Sequence, residues 1–197
     1  MIMEYEEFKN IFNKEIFEDS KVNLIENIAK YPNRYLGFFR PTKPKAKILQ
    51  NLLQSHEICF GNAFEVVIEE YLKKLNYEIL NKNLINSKNE KLDIDQFFKK
   101  EKIYFVEQKI RDDHDSSKKR GQIQNFEKKL AEINKIYNEN EIVGIFYFID
   151  PGLLKNKKYY SEELKKMSEE YGIELYLLYG SGLFEFINNK DIWNEII

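Results

Sequence analysis

The chain has 197 residues, 43% hydrophobic and 32% charged, which allows one full hydrophobic core and argues against a disordered or membrane-embedded protein. Its formal net charge is −2, so any nucleic-acid binding has to come from local clusters of Lys and Arg rather than from the overall balance. The single cysteine, Cys59, excludes an intramolecular disulfide, and no apolar run approaches a membrane span of about 18 residues, so a reducing, cytoplasmic setting is expected.

Met1 to Phe8 is acidic and lacks an apolar stretch, so no signal peptide is expected. Tyr5, Phe8, Phe12 and Ile16 recur at helical spacing and predict a first helix; a second runs to about Lys30. Pro32, Pro41 and Pro44 make 33–47 a loop. A short helix is expected over 46–55. A longer amphipathic helix follows over 61–75, where Phe64, Val67, Ile68, Tyr71, Leu72 and Leu75 share a face. A short strand is expected over 77–80. Residues 92–98 and 103–110 read as two strands of a hairpin joined by Lys99, Lys100, Glu101 and Lys102. Residues 121–137 predict a helix that turns Ile123, Phe126, Leu130, Ile133 and Tyr137 inward. The unbroken apolar run 142–149 suits a central strand covered on both faces. A helix over 161–171, a strand over 173–179 and one or two short helices complete the chain. This order predicts an α/β protein: a mixed central β-sheet flanked by helices, with an N-terminal helical segment. One domain is expected, helical over 1–56 and α/β over 57–197.

The segment richest in chemistry is Asp93-Ile94-Asp95, followed by Glu107-Gln108-Lys109. Glu107 and Lys109 are two apart on a strand and project from one face. A hairpin brings an acid of the preceding strand close to them, either Asp95 or Asp93. Two carboxylates are hard ligands suited to Mg²⁺, which polarises a phosphoryl oxygen and acidifies bound water. A neighbouring Lys orients the water or stabilises the developing charge. Charges on a strand are usually just a solvated face. Here, however, Tyr104, Phe105 and Val106 run straight into Glu107, and charge at the end of an apolar strand carries a burial cost. Glu65 borders the apolar face of the 61–75 helix, where it is either an ordinary surface acid or a further carboxylate turned toward the hairpin.

These residues resemble the PD-(D/E)XK nuclease superfamily, in which a helix bearing Glu precedes a hairpin bearing Asp and then Glu-x-Lys. The superfamily includes most type II restriction endonucleases, junction resolvases and several repair nucleases. The resemblance spans mainly 61–149. It implies a restriction-endonuclease-like core with Asp95 and Glu107 as metal ligands, Lys109 assisting the attacking water, and Glu65 as an auxiliary ligand or ligand orienter. It also favours Asp95 over Asp93. Ile94 stands where the motif's Pro is expected. The stretch from Lys109 to Gln122, and Asn33-Arg34-Tyr35 through Pro44, are similar to segments of small bacterial type II restriction enzymes. The resemblance therefore implies a Mg²⁺-dependent type II endonuclease that cuts double-stranded DNA as a homodimer on a two-fold site. The alternatives are a structure-specific or repair nuclease of the junction-resolvase kind, and a non-catalytic DNA-binding protein of the same fold.

Two basic segments are candidates for DNA contact. Lys30, Arg34, Arg40, Lys43, Lys45 and Lys47 are interleaved with Tyr31, Tyr35, Phe38 and Phe39 and no acid, which suits phosphate contact or groove insertion; the plainer alternative is a solvated loop packed by its aromatics. Arg111 and then Lys118, Lys119 and Arg120 stand ahead of the 121–137 helix, whose start favours phosphate, and Gln122 is placed to read base edges or backbone oxygens. Asp112, Asp113 and Asp115 either cap the loop or accept from cytosine amino groups. His114 reads as a polar contact rather than a base.

Overall fold

The computed structural model describes residues 1–18, 20–36, 42–86, 89–112 and 116–197. Contacts divide the chain into two compact units, Met3–Val67 and a larger one of Met1–Ile2 with Ile68–Ile197.

The smaller unit is helical, as the apolar spacing requires. It contains α1 (Tyr5–Asn13), a π-helical turn (Lys14–Glu18), α2 (Ser20–Lys30), a 3-10 turn (Pro32–Arg34) and most of α3 (Pro44–Lys74). Phe8 stacks on Phe12 at 4.7 Å, and Phe12 meets Phe60 and Phe64 edge-on at 5.6 and 5.1 Å. The helices expected over 46–55 and 61–75 are one continuous helix. No proline interrupts it after Pro44, which sits in the first position, where proline is tolerated. Gly61 costs only about 1 kcal/mol inside a helix, too little to end one. Cys59 is half-buried within this helix.

The larger unit carries β1 (Glu78–Ile79), β2 (Asn83–Ile85), β3 (Lys91–Asp93), β4 (Gln96–Lys99), β5 (Ile103–Lys109), α4 (Ser116–Ile136), β6 (Ile142–Phe148), α5 (Lys157–Tyr171), β7 (Glu174–Tyr179), α6 (Gly182–Phe186) and α7 (Asp191–Ile196). Its sheet has the order β1-β4-β5-β6-β7. The first three strands run antiparallel; β5, β6 and β7 are parallel and joined by α4 and α5. The mixed sheet flanked by helices is the architecture the sequence predicts. The expected strand over 92–98 is instead two strands. β3 pairs with β2 in a separate ladder, Asn83 opposite Asp93, and the chain bends at Ile94 and Asp95 before β4 joins the main sheet. α4 also begins earlier than expected, so Lys118, Lys119 and Arg120 lie within its first turns rather than ahead of it. Lys and Arg are good helix formers, and Gly121 does not delay the start.

Every residue of β6 is buried, as a strand covered on both faces requires. Around it Phe105 stacks on Phe126 at 4.8 Å and Phe146 on Tyr160 at 4.9 Å. Gly144 lies opposite Phe105 in this packing. A Cβ there would fall 2.5 Å from Leu175 Cδ2 and 2.7 Å from the Phe105 ring. Gly144→Ala is therefore expected to destabilise the protein by about 1–3 kcal/mol through overpacking. Urea denaturation checks this, and an unchanged midpoint would contradict it. Gly172 ends α5 in the left-handed region at φ 68°, where glycine has no Cβ penalty. Among the described residues, no helix is long and apolar enough to cross a membrane.

Candidate active site

Strand alternation puts Phe105, Glu107 and Lys109 on one face of β5. Phe105 stacks on Phe126 of α4, so the two charged side chains project toward the α4 side of the sheet. Asp95 reaches them from the bend before β4. The register pairs Gln96 with Val106, and beyond that pair the chain leaves the ladder. The Ile94 N–H donates to the Lys82 carbonyl at 2.9 Å, and the Asp95 carboxylate accepts the Gln108 N–H at 2.6 Å. The strand break thus makes a side chain the acceptor for a backbone donor of β5, which fixes Asp95 beside Glu107. Asp93, the rival acid, is elsewhere: its side chain is 65% exposed and pairs with Lys91 at 3.1 Å.

Two ammonium groups join the two carboxylates. Lys109 Nζ lies 2.6 Å from Glu107 Oε1 and 3.8 Å from Asp95 Oδ2, and donates to the Gln108 carbonyl at 3.0 Å. Lys129, on α4, lies 2.5 Å from Glu107 Oε2 and 3.9 Å from Asp95 Oδ1. Burial and then the Glu107 charge push the Asp95 carboxyl above its ordinary range, against the pull of Lys109, Lys129 and the Gln108 N–H. Burial also acts to raise Glu107, but the charges and hydrogen bonds of Lys109 and Lys129 outweigh it and hold Glu107 low. Two adjacent carboxylates with their affinities for protons pushed apart are a frequent property of hydrolytic sites.

Among the described residues, no group of three or more His, Cys, Asp or Glu side chains is placed to hold a metal ion. A cation here would rest on Asp95 and Glu107, with water and substrate oxygens completing its shell. That donor set suits Mg²⁺, which keeps most of its waters and is commonly held by one or two carboxylates plus phosphate.

The family model described as type II restriction endonuclease, HinfI, matches residues 4–91 and 68–197, which together cover nearly the whole chain. The chain belongs to this family. No curated protein matches it. Restriction endonucleases are nucleases that act on DNA, so the HinfI family assignment directs attention to phosphodiester hydrolysis and to the residues that could meet a phosphate backbone.

Of the basic candidates in this HinfI family chain, Arg111, Lys118 and Arg120 are exposed and Lys119 is half-buried. Lys119 stands over the Tyr159 ring at 4.5 Å and donates to Asn156 at 3.4 Å. Gln122 is half-buried, and its carbonyl oxygen accepts from the Tyr160 hydroxyl at 2.7 Å. Asp112 is an internal bracket: buried, it accepts the Asn156 backbone N–H at 2.8 Å and side-chain N–H at 2.7 Å, ahead of α5. It is therefore in no position to contact a base. In the smaller unit Arg34 is exposed and lies over the Tyr31 ring at 4.2 Å, Lys43 is exposed just ahead of α3, and Glu65 is half-buried on α3. Arg40, Phe38, Phe39, Asp113, His114 and Asp115 lie outside the described residues.

Sequence reasoning misses Lys129, although a signal for it exists. Phe126, Lys129, Leu130 and Ile133 follow the i, i+3, i+4, i+7 spacing of the buried face of α4, and a Lys in such a stripe is an anomaly that calls for a partner.

Proposed function

We propose that this protein is a Mg²⁺-dependent type II restriction endonuclease that hydrolyses phosphodiester bonds at specific sites in double-stranded DNA. The observation that carries the reading is the convergence of Asp95, Glu107 and Lys109 at the ends of β4 and β5, within a chain of the HinfI family. Asp95 and Glu107 would hold the cation. Bound there, Mg²⁺ polarises a phosphoryl oxygen and lowers the pKa of a coordinated water. Lys109, 17% exposed at the rim, hands its contact with Glu107 over to the phosphate and the attacking water, orienting the water and offsetting the charge that develops. Arg34, Arg40 and Lys43 of the smaller unit contact the DNA backbone, as do Arg111, Lys118, Lys119 and Arg120 of the larger one, where Gln122 follows in α4. Two strands cut at a two-fold site call for two copies of one such site, hence a homodimer.

Incubating the purified protein with phage DNA and Mg²⁺ tests this directly. Discrete fragments on a gel, absent when Mg²⁺ is chelated, are the expected result. A smear would indicate a nuclease without site specificity, and intact DNA would overturn the assignment as an enzyme.

A further inference from the structure

Lys129 has no place in the proposed hydrolysis, yet it is the most deeply buried charge of the group. Its side chain is 4% exposed, against 17% for Lys109. It projects from the buried face of α4 among Phe126, Leu130 and Ile133, and its ion pairs are with Glu107 and Asp95. A buried ammonium is several kcal/mol harder to accommodate than an apolar side chain of the same volume, and pairing it with a carboxylate rarely does more than break even. Stability alone therefore gives no reason for Lys at this position. The two lysines also differ in what they can do. Lys109 contacts Glu107 Oε1 from the rim and can swing toward solvent. Lys129 contacts Oε2 from inside, where burial keeps it from water.

We infer that Lys129 is a positioning residue acting through Glu107: a resident cation that clamps Oε2, leaves Oε1 to face the metal, and holds the carboxylate pair together before metal and DNA arrive. This rests on the nuclease function proposed for the same site. Two ammonium groups against two carboxylates leave the site with no net charge, so a divalent cation entering the DNA-free protein is opposed by Lys129. Removing that charge tightens cation binding, while releasing Glu107 from its clamp slows cleavage. Loss of fold cannot produce this opposite pair of effects.

The test compares wild-type protein with Lys129→Met. Mn²⁺ binding to the DNA-free proteins is measured by calorimetry, and cleavage is followed at saturating Mg²⁺. Lys129→Met is expected to bind Mn²⁺ at least about tenfold more tightly and to cleave at least about tenfold more slowly. Lys129→Arg, which restores the charge, returns Mn²⁺ affinity toward wild type. If circular dichroism shows Lys129→Met unfolded, Lys129→Gln serves with the same expectations. Unchanged Mn²⁺ affinity or wild-type cleavage in a folded uncharged variant overturns the inference, as does equal tightening in Lys129→Arg. Wild-type protein that neither binds Mn²⁺ nor cuts DNA would instead sink the nuclease reading and this inference with it.

Discussion

Lys109→Ala is expected to lower the single-turnover cleavage rate by at least about 10²-fold while DNA binding in Ca²⁺ persists. The physical reason is the position of this side chain. Lys109 sits at the last residue of β5, and its ammonium is 2.6 Å from Glu107 Oε1 and 3.8 Å from Asp95. Its packing role is slight: the ammonium stands 5.9 Å from the centre of the Phe146 ring and stays partly exposed. Truncation leaves Glu107 still paired with Lys129, so this buried carboxylate keeps a counter-ion and the fold survives. What disappears is the rim cation within reach of both Glu107 and Asp95, the proposed metal ligands, and of an incoming phosphate. Cleavage assays beside gel-shift titrations in Ca²⁺ separate the two effects. Full activity in Lys109→Ala would refute the assignment of this lysine.

The second large effect is on stability as well as activity. Glu107→Gln removes a proposed metal ligand and is expected to abolish cleavage. It also takes from Lys129 its close counter-charge, leaving Asp95 at 3.9 Å as its one ion-pair partner among the described residues. An ammonium buried to 4% exposure and deprived of its counter-ion is costly, so unfolding free energy should fall by about 3 kcal/mol. Adding Lys129→Met to the same chain removes the stranded charge and should recover most of that loss without recovering any cleavage. Urea denaturation of the two single variants and the double variant gives the coupling directly. A Glu107→Gln protein as stable as wild type would mean that the Glu107–Lys129 pair contributes nothing to the fold.

Much of the architecture is legible in the sequence because it depends on local pattern. The apolar run through Ile142–Phe148 suits only a doubly covered strand, and the spacing of Ile123, Phe126, Leu130 and Ile133 suits only one face of a helix. Boundaries are less legible. Pro44 reads as a breaker and is the first residue of a 31-residue helix, because proline's missing N–H costs nothing at that end. The break at Ile94 and Asp95 is invisible in the sequence. It depends on a hydrogen bond from Ile94 to Lys82, in a strand region that shows no pattern of its own.

The sequence by itself determined the fold class and the pairing of Glu107 with Lys109, since alternation along a strand is a local rule that no later packing can change. Only the tertiary structure showed which of Asp93 and Asp95 lies beside Glu107 and Lys109. Both are acids two apart on one segment, and the choice turned on which carboxylate meets the Gln108 N–H once the chain leaves the ladder. It alone also brought Lys129 to Glu107 across 22 residues, because the register of a helix against a sheet is set by the fit of Phe126 on Phe105, not by anything within α4.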